Sequence, residues 1–259
     1  MGLFSRKCPV GEKAGHWTEE SMRWFREQFG DDPLGSDPVL PTAELFPSEL
    51  TGEEADVREL LDRLCAHLAV DPKWVTLEIT PFGESGLVRQ ASYIWPVEPG
   101  YRPLAPDRHD RWENGRRVIE IHPDISTRPT DLMARLTRDL CHTRLLAEER
   151  ITTKRRDHQQ LADLLAVYFG LGIFAANASF DHHAGRYGGM RRVGHLPEPM
   201  FGYGLACYAW LRGESWPDWT EYLDHGPQSS MNHGLRYLAR VAEPGELPAG
   251  LHPVDDSPD

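Results

Sequence analysis

Arg138-Asp139-Leu140-Cys141-His142 lies within a stretch whose periodicity predicts a helix from Pro129-Thr130 to about Glu148. Leu132, Leu136, Leu140, Thr143 and Ala147 recur at spacings of three and four residues and form one stripe. Arg138 and His142 are four residues apart, so they project from one face, a turn from each other. Cys141 is adjacent to His142, and neighbouring helical positions diverge by about 100°. It therefore reads as a small buried residue, because free cysteine packs as a hydrophobe, with a thiolate nucleophile or ligand as the sharper alternative. A basic link, Lys154-Arg155-Arg156, leads to Asp157 as a candidate N-cap. Beyond it the stretch from Leu161 to Ala176 carries a single charge, Asp163. A helix apolar on every side is a buried helix. Gly170 and Gly172 weaken it locally and allow a neighbouring helix to come close.

Working outward, Trp17 to Phe29 reads as a helix, with Thr18 and Ser21 near its start and Gly30 just past its end. Residues 31–49 hold Pro33, Pro38, Pro41 and Pro47 and are expected to form an ordered loop or linker. Thr51 with Glu54 makes a capping box for a second helix, along which Val57, Leu60, Leu61, Leu64 and Leu68 repeat at helical spacing. Trp74 to Thr80 alternates as a strand does, and Ser92 to Trp95 and Val118 to Ile121 are further candidates. Asn114-Gly115 ahead of the last is a type I′ hairpin signal, because both residues tolerate positive φ. Residues 179–195 form a glycine-containing loop with His182, His183 and His195, and helices are expected over about 198–212, 217–223 and 229–241. The fold class is α+β, predominantly helical, with a small sheet packed on the helix that carries Arg138. Three regions follow: an N-terminal helix with a proline-rich extension (1–50), a main domain (51–242) and a disordered acidic tail (243–259).

The 259 residues allow one substantial core, and 40% hydrophobic with 10% aromatic content is globular. A formal charge of -12 opposes non-specific binding to nucleic acid or to anionic membrane, since their phosphates repel the summed field. No window has the roughly 18 unbroken apolar residues of a membrane helix. Cys8, Cys65, Cys141 and Cys207 are scattered without a C-x-x-C pair, which points to free thiols in a reducing compartment. An acidic, soluble, cytoplasmic protein is the expectation.

A helix with an i, i+4 pair followed by a second helix bearing a carboxylate is the order in which zincins build their metal site. The stretch from Leu136 through Asn177, with Gly194-His195-Leu196-Pro197-Glu198-Pro199-Met200-Phe201-Gly202-Tyr203-Gly204, resembles a group of uncharacterised bacterial proteins with a zincin-like, minimal metallopeptidase domain. In that group the first helix reads His-Glu-Leu-x-His and the second opens Asp-His-Glu-Pro-Leu-Thr-Asp-Leu-Leu. Here the second reads Asp157-His158-Gln159-Gln160-Leu161-Ala162-Asp163-Leu164-Leu165. Laid on that pattern, the first histidine is Arg138, the general-base glutamate is Asp139, and the second histidine survives as His142. The second helix has Gln159 in place of its glutamate and keeps its aspartate as Asp163. Arginine is donor-only at any accessible pH and cannot ligate a metal. Glutamine is a weak neutral donor, and aspartate is one methylene shorter than the glutamate it replaces.

The resemblance thus implies a degenerate HExxH site in a pseudoenzyme whose remodelled cleft binds a partner protein or a small-molecule ligand, with no cofactor favoured. Asp163, costly as a lone buried anion, is expected to pair with Arg138, or Arg138 with Asp139, so that a guanidinium fills the place of the ion. The alternative is a metal-dependent hydrolase or other metalloenzyme. It would hold zinc or another divalent transition metal with His142, Asp163 and either His158 or His183, and Asp139 would act as its base. The blander readings are a hydrogen-bonded core histidine at His142, an exposed helix-start histidine at His158, and a solvated loop at Asp181-His182-His183.

Overall fold

The computed structural model describes residues 7–42, 53–79, 111–121, 123–179 and 194–248. The helices are α1 (Glu12–Phe29), α2 (Asp32–Gly35), α3 (Glu54–His67), α4 (Pro123–Ser126), α5 (Pro129–Ala147), α6 (His158–Tyr168), α7 (Gly172–Ala178), α8 (Glu198–Leu211) and α9 (His225–Val241). Strands β1 (Val75–Ile79), β2 (Trp112–Glu113) and β3 (Arg116–Ile121) form one sheet in the order β1-β3-β2. The class is α+β and predominantly helical, as the sequence indicates.

The β2–β3 hairpin turns at Asn114 and Gly115, with φ of 51° and 74°, as the Asn-Gly pair demands. β1 runs parallel to β3, with Val75 opposite Arg117 and Ile79 opposite Ile121. Ile119 and Ile121 are wholly buried, and so is Arg117, which reaches Asp139 on α5. The sheet is therefore fastened to the helix that carries Arg138 and His142.

Four expectations need correction. α1 begins at Glu12, five residues before Trp17, because Gly11 at φ 84° ends the preceding turn and Thr18 bonds back to the Ala14 carbonyl in mid-helix instead of capping. The apolar run 161–176 is two helices: Gly170 adopts φ 77° and breaks it, α7 starting again at Gly172. Asp157 stands at the N-cap position of α6 but makes no side-chain cap; its carboxylate accepts from Arg155 and Trp17. Asp218–Tyr222 is a 3-10 turn and not an α-helix.

α8 is buried throughout from Met200 to Trp210 and packs closely on α9. Gly202 and Gly234 make that approach possible: a Cβ on Gly202 would lie 2.4 Å from the Ser230 Cβ, and one on Gly234 would lie 2.6 Å from the Ala206 Cβ. The acidic tail remains against the body as far as Pro248, since Leu247 is buried and the Glu243 carbonyl accepts from Trp210 Nε1 at 2.8 Å. The Thr51 cap, the strand at 92–95, the loop histidines His182 and His183, and the remainder of the tail lie outside the described residues.

Candidate functional site

Arg138, Asp139 and His142 lie on α5; Gln159 and Asp163 lie on α6 with His158 at its start. The fold brings all six together. Arg138 is only 4% exposed and sits at the centre. Its Nε lies 3.3 Å from Asp163 Oδ1, and its Nη1 donates to Asp139 Oδ1 at 3.2 Å. Its Nη2 donates to the Gln159 side-chain oxygen and to His195 Nε2. Because a guanidinium has no acceptor, that contact fixes His195 Nε2 as the accepting nitrogen.

The two acids have different surroundings. Asp139 has no exposed surface and takes the guanidiniums of Arg135 at 2.6 Å, Arg138 at 3.2 Å and Arg117 at 3.4 Å. Burial works to raise its pKa, but the positive charges of Arg135, Arg117 and Arg138 outweigh it and hold the carboxyl well below the usual carboxylate range. A carboxylate held so firmly as an anion is a poor proton acceptor near neutral pH, where a general base needs a pKa near the working pH.

Asp163 shares one oxygen with Arg138 and spends the other on the chain that follows the loop. Its Oδ2 accepts from the backbone amides of His195 and Leu196, the latter at 2.8 Å. Gly194 at φ 101° makes this approach possible, since a Cβ there would lie 3.2 Å from Oδ2 and 3.4 Å from Oδ1. Asp163 is thus an anchor for the segment that carries His195.

His142, wholly buried one turn beyond Arg138, meets His158: His142 Nε2 and His158 Nδ1 are 2.8 Å apart, and the rings stack with centroids 4.9 Å apart. One nitrogen donates and the other accepts. Cys141 is fully buried on a different face, and burial pushes its thiol far above the ordinary value, so it packs as a hydrophobe and is no nucleophile. His183 lies outside the described residues.

Both carboxylates are paired with the Arg138 guanidinium, which lies between α5 and α6. Among the described residues no three His, Cys, Asp or Glu side chains converge as a metal-holding group.

Three further residues take part in the site. Arg135 stands four residues before Asp139, a helical ion-pair spacing that gave a signal. Arg117 gave only the weak one of a cation beside an apolar strand, and His195 stood out only as a loop histidine in the stretch that carries the resemblance, because its role comes from tertiary contact. Set against known protein families, curated proteins and solved structures, the chain matches none of them.

Proposed function

We propose that this protein is a zincin-like pseudoenzyme, whose cleft between α5 and α6 is held in shape by Arg138 and binds a partner protein or small-molecule ligand without metal chemistry. The observation that carries this reading is the position of the Arg138 guanidinium, paired at once with Asp163 and Asp139. In the family it resembles, the corresponding position supplies a histidine and the space beside it holds zinc. Here a fixed cation of the protein draws the same two helices together, and it also donates to Gln159 and His195. The general-base position is filled by Asp139, whose lone pairs are committed to arginines.

The test is reversion. The triple variant Arg138→His, Asp139→Glu, Gln159→Glu restores the family's pattern beside His142. It should bind one zinc ion per chain, measured by titration against a zinc-sensitive dye, while the unaltered protein competes no better than a buffer blank. A triple variant that folds, as judged by circular dichroism, and still takes no zinc would overturn the zincin-like assignment.

The stacked His142–His158 pair is the observation that favours the metalloenzyme alternative, because it places two imidazoles side by side. For that reading the native protein must hold a metal that is lost on His142→Ala.

A further inference from the structure

A second buried polar cluster lies between α1 and α8, apart from Arg138. Glu19 is 5% exposed, and Tyr203, wholly buried on α8, donates its hydroxyl to Glu19 Oε1. Cys8, just before α1, and Cys207, one turn beyond Tyr203, are buried free thiols beside them. Gly15 is where the chain lets them meet: a Cβ there would lie 2.3 Å from Cys8 Sγ and 3.7 Å from Tyr203 Cε1.

Among the described residues Glu19 has no ion-pair partner. Arg23, one turn on, is turned to Glu20 at 2.5 Å and to the Pro248 carbonyl at 3.2 Å. The titratable groups around the Glu19 carboxyl are Glu12, His16 and Arg23 on α1, Cys8 before it, Tyr203 and Cys207 on α8, and Tyr237 on α9. Burial raises the Glu19 pKa, and the Tyr203 hydrogen bond with the distant Arg23 and His16 charges only partly offsets it.

The same half of α1 reaches the start of α6. Trp17 Nε1 donates to Asp157 Oδ2 at 2.7 Å, and Asp157 directly precedes His158. The other half is fastened separately: Met22 and Phe25 are fully buried, the Gln28 carbonyl accepts from Arg150 at 2.8 Å, and the Gly30 carbonyl accepts from Tyr168 at 2.5 Å. The two halves of α1 are thus held by different partners.

We propose that residues 7–19 are a pH-released strap: with Glu19 protonated the strap docks on α8 and steadies the His158 end of the cleft, and loss of that proton to solvent undocks it. The docked carboxyl keeps its proton to higher pH than a free one. Its contribution is thus complete below the ordinary glutamate value of about 4.3 and is lost as pH rises through the docked value. Within that window one proton loosens the strap by at most about tenfold per pH unit. The strap stands whether or not the Arg138 cleft binds a ligand.

Native-state hydrogen exchange on the full chain tests this between about pH 5 and about pH 8, after correction for intrinsic exchange rates. Opening constants for the amides of residues 15–19 should climb with pH while those of 22–29 stay level. Glu19→Gln, an isosteric neutral replacement that keeps an acceptor for Tyr203, should flatten the climb. Trp17→Phe should uncouple the His158 ring resonances from it. An unchanged pH slope in Glu19→Gln, or a Glu19 carboxyl carbon that titrates in the ordinary glutamate range, would overturn the strap.

Discussion

At the scale of single residues the account turns on Arg138. Removing one partner from a buried ion pair strands the other, typically at about 3–5 kcal/mol. Arg138→Ala should lower stability by that order in urea unfolding at neutral pH, because Asp163 and Asp139 would each lose a buried guanidinium. A loss under about 1 kcal/mol, the size of a surface pair, would mean that Arg138 holds nothing together. Asp139 supplies the pH dependence. Its folded pKa is depressed, so its contribution is complete above the unfolded value of about 3.9 and is lost as pH falls through the folded one. Asp139→Asn should therefore be less stable at neutral pH, and its stability should fall less steeply on acidification than that of the unaltered chain. Arg138 and both acids were legible in the sequence, since helical spacing and a lone charge in an apolar run locate them. Arg117 and His195 were not, because nothing local ties a strand residue or a loop residue to a helix that it meets only after folding.

At the scale of elements, glycines mark the closest approaches. Gly194→Ala sets a side chain at φ 101° against the Asp163 carboxylate, and Gly202→Ala sets one 2.9 Å from the Met231 backbone nitrogen. Both should destabilise by about 1–3 kcal/mol, the usual size of overpacking in a close-packed interior, as read from thermal unfolding. They should differ in kind. Gly194→Ala displaces His195 and so perturbs the Arg138 site, while Gly202→Ala loosens α8 from α9 and leaves the His195 ring signals where they are. Equal disturbance of His195 by both variants would contradict the division of roles. Helical periodicity located α3, α5, α8 and α9 to within a few residues of their ends, and the start of α6 but not its end. The division at Gly170 was only half legible: the glycines signalled weakness, but the break depends on a positive φ that lies against the Tyr208 hydroxyl and the Pro38 backbone. The parallel pairing of β1 with β3 was not legible, because alternation shows which face of a strand is buried and not which strand lies beside it.

For the whole molecule, α5 is the hub. The sheet meets it through Arg117, α6 through Arg138 and the histidine pair, and the segment before α8 through His195. Ion pairs of this sort hold packed helices in one geometry without needing an exchangeable ion. Addition of a strong chelator should accordingly leave the melting temperature unchanged. A drop of several degrees would instead mark a bound metal as part of the folded state, since a ligand specific for the native form stabilises it by mass action.

The most direct test is the transition-metal content of the unaltered protein purified without chelators, read by mass spectrometry of the elements. If the guanidinium of Arg138 does the work of the ion, zinc, iron, manganese and cobalt should each be present at far less than one per chain. One metal ion per chain, lost on His142→Ala, would contradict the account.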